Sequence, residues 1–335
     1  MNDDGPPSNR ASPYIHSLVL HLQSAGHTAS VVLPHIQRSW IGKAHIVGQT
    51  LTPTYFRPGT LLKDDGVVSS EPFGDGREEW ILVNGTPASC VQIGLYHEFK
   101  DRGPVDLVLS GPNFGRNTTA VFALSSGTIG GALEGAVCGK KAIALSYAFD
   151  SREHDAEILA AVAKLSTRLV EKLVAEWPED VHLYSINVPV KKGVEDTKIV
   201  YTEMLQNMWK HGSSFEEIQA EADGSPLELD PATHEKEIRE QQNASSSMRG
   251  VNGDIGGQVS SWKKKQYKWA PNFADVKEAV RNAGSGDGWT VLQGMVRYVC
   301  LASRVIFGLL ISVYSVTPLR ANFWHLPQYK GEIKL

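Results

Sequence analysis

Four short stretches carry side chains suited to handling a charged oxyanion. Asp3 and Asp4 are adjacent in NDDG, and Asn113 and Asn117 stand four residues apart in DLVLSGPNFGRN. Gly111, Pro112 and Gly115 force a tight turn around that asparagine pair. Ser125, Ser126, Gly127 and Thr128 open LSSGTIGG, while Arg38 and Ser39 close VVLPHIQRS. Asp, Asn and Ser oxygens are hard donors, fit for Mg²⁺, Mn²⁺ or Ca²⁺ and not for zinc. Free N–H groups and hydroxyls at a helix start suit an anion such as phosphate. Each stretch alone has an ordinary reading: an acidic turn, a helix N-cap, an asparagine-held turn, a surface arginine. All four fall in order at strand ends, and together they point to one site.

The elements that must position these residues alternate. SPYIHSLVLHLQSAGH has Ile15, Leu18, Val19 and Leu22 at helical spacing, with Ser12 as N-cap and Gly26 past the end. TASVVLP reads as a short buried strand, TPASCVQIGLYHEF as a helix with Pro87 in its first turn, and PVDLVLSGPN as a strand. A helix (SSGTIGGALEGAVCG), a strand (KAIALSY), a long amphipathic helix (HDAEILAAVAKLSTRLVEKLVAEW) and a strand (HLYSINVPV) follow. Short apolar strands separated by helices predict an α/β fold with a mostly parallel sheet covered on both faces. In such sheets ligands bind outside the carboxyl ends of the strands, where the unusual polar residues lie. Residues 48–80 read as loop. Residues 206–265 read as a polar insertion, disordered in its middle, whose charge run is solvated surface. The core is expected over 1–205, its C-terminal part over 266–325, and a tail over 326–335.

Among 335 residues, 41% are hydrophobic and 21% charged, and the net charge is −4. No basic excess points to a nucleic acid polymer or an anionic membrane. The three cysteines, Cys90, Cys138 and Cys300, lie far apart in apolar runs without CxxC spacing, so they read as reduced thiols of a cytoplasmic protein. His35 and His45 flank the Ser39 loop and read as surface or hydrogen-bonding groups. Trp262, Tyr267 and Trp269 read as core or interface aromatics, with stacking on a base as the alternative. A serine nucleophile fits poorly, because SSGT is not a G-x-S-x-G elbow and no histidine partner is cued.

The blocks NDDGPPS, VVLPHIQRS, VNGTPASCV, DLVLSGPNFGRN, SSGTIGGALEG, KAIALS, INVP and VYSVTPL together resemble the survival protein SurE family of metal-dependent phosphatases and nucleotidases. QRSWIGKAHIVGQT and KWAPNFADV look most like its fungal branch, some members of which carry a tubulin–tyrosine ligase-like domain after this part. The resemblance implies a Rossmann-like, doubly wound α/β domain with a C-terminal extension or hairpin used in oligomer contacts. It implies a phosphomonoesterase acting on nucleoside 5′- and 3′-monophosphates or other phosphate esters, with one divalent cation, Mg²⁺ or Mn²⁺, and Ca²⁺ as an option. Carried over, Asp3, Asp4, Ser39 and Asn113 are the metal ligands, with Asp3, Asp4 and Asn113 in the catalytic role. Asn117, Ser126, Gly127 and Thr128 line the phosphate site, and Arg38 is a candidate there. Such chemistry rests on charge neutralisation and positioning more than on covalent work by the protein.

Two places depart from the family pattern. Family members have a short apolar strand before the aspartate pair, where only Met1 and Asn2 stand here, so the pair is expected to lack that support. MVRYVCLASRVIFGLLIS, residues 295–312, intervenes between GDGWTVLQG and VYSVTPL. These departures leave two further readings: a catalytically impaired phosphate- or nucleotide-binding module, and a membrane-anchored protein through residues 298–316. Arg304 inside that apolar run weighs against the second.

Overall fold

KAIALSYA, the sequence of one central strand, alternates its side chains between two cores. Ile143, Leu145 and Tyr147 enter one, and Ala142 and Ala144 enter the other. A strand buried on both faces needs helices on both sides, and the computed structural model supplies them. It describes residues 1–149, 155–210, 213–219, 231–243, 265–295 and 313–321. The strands are β1 (Val32–Pro34), β2 (Pro53–Arg57), β3 (Val67–Ser69), β4 (Trp80–Val83), β5 (Leu107–Phe114), β6 (Lys141–Ala148), β7 (Leu183–Pro189), β8 (Lys198–Tyr201), β9 (Phe215–Gln219), β10 (Lys265–Trp269) and β11 (Val313–Leu319). The helices are α1 (Ile15–Ser24), α2 (Pro87–Ile93), α3 (Ala120–Ser125), α4 (Gly127–Val137), α5 (Ala156–Ala175), α6 (Pro231–Asn243), α7 (Ala274–Ala283) and α8 (Gly286–Met295).

β5, β6, β7, β11 and β8 form one sheet in that order. Its β5–β6–β7 part is parallel, and β11 is antiparallel to β7 and parallel to β8. α1 and α5 cover one face through Leu18, Leu159, Val162 and Leu169, and α4 and α2 cover the other through Ile129, Ala132 and Val91. Each buried Leu, Ile or Val among them contributes about 1.5–3 kcal/mol. The small residues of α4 let it lie close on the sheet: a Cβ on Gly135 would come 2.7 Å from Val108 Cβ. A second sheet runs β1–β4–β2–β3, with β1 and β4 parallel and the other pairs antiparallel. This is the α/β architecture that the alternating pattern predicts.

Residues 1–5 sit between the two sheets. The Met1 amine donates to Leu109 O (2.9 Å), and Met1 O accepts from Gly111 N (2.6 Å), so this residue pairs with β5. Asp3 O accepts from Arg38 N (2.7 Å), just beyond β1. The Met1 side chain packs against both the α4-side core and the core under β1 and β4. Asp3 and Asp4 are therefore held despite the short lead, each 2% exposed.

Three local expectations are corrected. α1 begins at Ile15, and Ser12 accepts from Asn2 Nδ2 (2.8 Å) in place of capping it. Residues 48–80 are not all loop: β2 and β3 pair there. The 206–265 stretch contains β9 and α6, and β9 pairs with β10 beyond it. Trp262, Cys300, residues 296–312 and the 326–335 tail lie outside the described residues. Of the apolar run 298–316, Val313–Val316 belong to β11, bonded on both sides to β7 and β8. Among the described residues, no helix is long and apolar enough to cross a membrane.

Candidate functional site

The turn within β5 is possible only with glycine at its start. Gly111 has φ +131°, and a Cβ there would run into Leu145 O of β6. The β5–β6 register shifts between Ser110 and Asn113, and Asn113 rejoins the ladder opposite Ser146 at the carboxyl end of the sheet. Its Nδ2 donates to Gly115 O (2.7 Å), which fixes the amide and leaves Oδ1 as the acceptor end. Asn117 is locked by two partners that sequence reasoning did not name: its N–H donates to Asn187 Oδ1 (2.9 Å), and its Nδ2 donates to Ser146 Oγ (3.0 Å). Ser146 and Asn187 sit on neighbouring strands β6 and β7 and are fully buried.

α4 starts at the same place. Ser126 is its N-cap and accepts from Ile129 N through Oγ (3.1 Å). Gly127 permits close approach of the helix to the aspartates, since a Cβ there would lie 2.8 Å from Asp3 Cβ and Oδ2. Thr128, fully buried, donates through Oγ1 to the Asp3 carboxylate, and the same hydroxyl is 3.4 Å from Asn113 Oδ1. Asp4 Oδ2 accepts from Phe114 N (2.7 Å).

These residues surround a cavity of about 40 Å³ whose lining includes Asp3, Ser39, Asn113, Asn117 and Ser126. Ser39 reaches it from the loop after β1, where its Oγ accepts from Gln37 Nε2 (3.1 Å). Asp4, Gly127 and Thr128 stand behind this lining. Arg38 is not brought in: its guanidinium donates to Asn84 Oδ1 (2.9 Å) and Gly85 O (3.3 Å). Arg116 lines the cavity, and so does Glu235 of α6. Neither was named from sequence. Arg116 was legible inside GRN, whereas Glu235 lies in a charge run that reads as solvated surface.

A further clip ties the C-terminal part to this loop. The Asp287 carboxylate accepts from Thr119 N (3.0 Å), Leu205 N (2.9 Å) and Gly288 N (2.6 Å). It holds Thr119 at φ +73°, two residues after Asn117. Burial pushes its pKa up, against the pull of those N–H groups. On the outer side of α4, Glu134 pairs with Lys43 (2.6 Å) and accepts from Gln92 Nε2 (2.5 Å). Burial raises the Glu134 pKa, but the Lys43 and Gln92 contacts outweigh it and hold the carboxyl below the usual range.

The oxygens facing the cavity are of one chemical kind. A carboxylate, a hydroxyl and an amide carbonyl fit a hard divalent cation. Among the described residues, no group of three or more His, Cys, Asp and Glu side chains gathers as a candidate metal cluster. The candidate set therefore mixes aspartate with neutral oxygens.

Comparison with known proteins follows the same lines. The family model described as "Survival protein SurE" matches residues 1–211. Over its full length the chain is 33% identical to a Saccharomyces cerevisiae protein described as a probable tubulin–tyrosine ligase PBY1, and it spans 42% of that protein. A 5′-nucleotidase SurE from Methanocella arvoryzae is 33% identical over 62% of this chain and 72% of its own length. One from Petrotoga mobilis is 36% identical over 61% and 67%. The crystal structure of SurE protein from Aquifex aeolicus superposes with a TM-score of 0.56, covering 96% of this chain and 92% of that one at 23% identity. That likeness speaks for the fold.

Proposed function

We propose that the chain, which belongs to the survival protein SurE family, is a divalent-metal-dependent phosphomonoesterase that hydrolyses nucleoside monophosphates or related phosphate esters. The observation that carries the proposal is the convergence of Asp3, Ser39, Asn113, Asn117 and Ser126 on one cavity at the N-terminus of α4. Asp3, Ser39 and Asn113 are the side chains that would hold the cation, with Asp4 fixed behind them. A bound divalent cation would neutralise phosphate charge and activate water.

The chain's own residues supply the rest. The N-terminus of α4 and the Asn117 side chain would stand beside the phosphoryl oxygens, where they would favour the spread charge of the transition state. Arg116 adds a cationic wall to the same cavity. Thr128 holds the Asp3 carboxylate in one rotamer, and Asn187 and Ser146 hold Asn117, so little reorganisation is needed when the ester arrives. An oxygen of Asp3 or Asp4 would accept a hydrogen bond from the attacking water and orient it toward phosphorus. A role for Arg38 in phosphate binding is not supported by where its guanidinium points.

The test is phosphate release from nucleoside monophosphates by the purified chain, with added Mg²⁺ or Mn²⁺ and again with chelator. Release that stops with chelator, returns with the ion and is lost in Asp3→Asn is expected. Turnover indifferent to chelator and to Asp3→Asn overturns the proposal. Binding of nucleotide with no turnover under any ion favours the impaired binding module.

A further inference from the structure

Thr119 carries two local costs. It stands just before α3 with φ +73° and ψ +153°, a region that a β-branched side chain avoids and glycine enters freely. Its side chain is fully buried, and among the described residues its Oγ1 finds no hydrogen-bond partner. A residue stays in such a state only where contacts from elsewhere over-determine it. Here those contacts come from distant parts of the chain. Asp287, 1% exposed, takes the Thr119 N–H on Oδ2 and the Leu205 and Gly288 N–H groups on Oδ1. Leu205 O accepts from Ala120 N (2.9 Å), Asn207 Oδ1 accepts from Val121 N (3.0 Å), and Glu203 O accepts from Asp287 N (2.8 Å). Gly288 leaves room for the threonine, since a Cβ there would lie 2.9 Å from Thr119 Cγ2. Segments 119–121, 203–207 and 286–288 therefore close on one turn, which begins two residues after Asn117 of the cavity.

We propose that Asp287 is a positioning residue for the phosphate site: it holds the Thr119 turn in its strained form, and that turn fixes where the Asn117 amide stands. The role of Asn117 in binding phosphate rests on the phosphomonoesterase reading. Asn117 is anchored from two directions, by Ser146 and Asn187 of the sheet and by Asp287 through the turn. The candidate cation ligands Asp3, Ser39 and Asn113 have other holders in Thr128, Gln37 and Gly115. Loss of the clip therefore acts on phosphate binding and spares the ion. The C-terminal part, which contributes Asp287 and Gly288, thereby takes a share in the site of its own chain.

The experiment uses the full chain with Mg²⁺. It measures the Kd of inorganic phosphate by calorimetry, kcat and KM for adenosine 5′-monophosphate, the Mg²⁺ dependence of the rate, and the urea midpoint. Asp287→Asn keeps the shape but replaces one carboxylate oxygen by an NH₂ group that meets an N–H donor. The phosphate Kd and KM should each rise about tenfold, the scale of one hydrogen bond to a charged group, with kcat within about threefold and the Mg²⁺ dependence unchanged. Thr119→Gly enters the same backbone form without strain, so the double variant Thr119→Gly/Asp287→Asn should recover most of the loss. A merely structural aspartate gives another pattern. The folded fraction and kcat then fall, Kd and KM stay, and Thr119→Gly recovers nothing. That pattern overturns the proposal, as do unchanged Kd and KM in folded Asp287→Asn. Where Asp287→Asn does not fold, Gly288→Ala presses on Thr119 Cγ2 with the carboxylate intact. The same rise in Kd, relieved by Thr119→Gly, is expected there, and its absence overturns the proposal. The two readings fail separately. No turnover by the unmodified chain under any ion, with the Kd shift and its recovery intact, defeats the esterase and supports the clip. Turnover with Kd and KM indifferent to Asp287→Asn defeats the clip and supports the esterase.

Discussion

Gly127→Ala tests whether the closeness of α4 to Asp3 matters to the chemistry. An added Cβ meets Asp3 Cβ and Oδ2 at 2.8 Å and Ile41 Cγ2 at 3.0 Å, where ordinary contact begins at 3.4 Å. Relief requires the aspartate or the helix start to move by ~0.6 Å, and a 1 Å misplacement costs about 100-fold in rate, so a loss of about tenfold is expected. The required Mg²⁺ concentration should also rise, because Asp3 is a candidate ligand. Overpacking alone costs about 1–3 kcal/mol, and the helix propensity of alanine returns up to about 1 kcal/mol. Gly135→Ala is the control. Its Cβ meets Val108 Cβ at 2.7 Å, on the same helix but away from the cavity. Both variants should therefore lose comparable stability in urea unfolding, and only Gly127→Ala should lose phosphate release. Equal activity of the two, or an unchanged ion requirement in Gly127→Ala, would refute the reasoning.

Other expectations are narrower. Thr128→Val removes the hydroxyl that donates to Asp3, and a charge-assisted bond of that kind predicts a roughly tenfold drop in kcat that Thr128→Ser restores. Wild-type rates in Thr128→Val would mean that the hydroxyl only fills space. Glu134 has a lowered folded-state pKa, so its contribution to stability is present above the unfolded value near 4.5 and fades as pH falls through the folded one. Lys43→Met should therefore cost about 1–2 kcal/mol at pH 7 and less at pH 3.5, and a gap that does not narrow argues against the pair. Burial pushes the Cys90 thiol up to about 12, whereas Cys138 is partly exposed. Maleimide followed by peptide mapping should label Cys138 in the native protein and Cys90 only after unfolding. Native labelling of Cys90 would mean that its core is open.

Much of the site is legible in the sequence because its residues sit at strand ends, where apolar runs stop and polar, glycine-rich turns begin. Asp3, Ser39, Asn113, Asn117 and Ser126 were all found in that way, and the cavity gathers them. What failed was direction. Arg38 is adjacent to Ser39 but on the other side of the chain, and it spends its guanidinium on Asn84 and Gly85. Thr128 faces the carboxylate behind the cavity, a distinction that one-dimensional spacing does not carry. Asn187 and Asp287 act across 70 and 168 residues, so no local pattern reports them. The β2–β3 hairpin was missed because PTYFR is only half-buried and lacks clean alternation. α6 was missed because its sequence is charge-rich and it depends on the aromatic cluster that its Ile238 packs against.

The place of residues 1–5 has a mechanical consequence. Ser39 lies in the loop after β1, Asn113 on β5 of the other sheet, and Asp3 on the seam between the two sheets. A ligand gripping all three is a clamp across that seam. Its binding energy resists separation of the two halves as well as loss of the cavity, so occupancy stabilises the whole domain by mass action. Conversely, any loosening of the seam is felt first as a change in the spacing of the donor oxygens. In this chain, Asp3 belongs both to the seam between the two sheets and to the lining of the cavity.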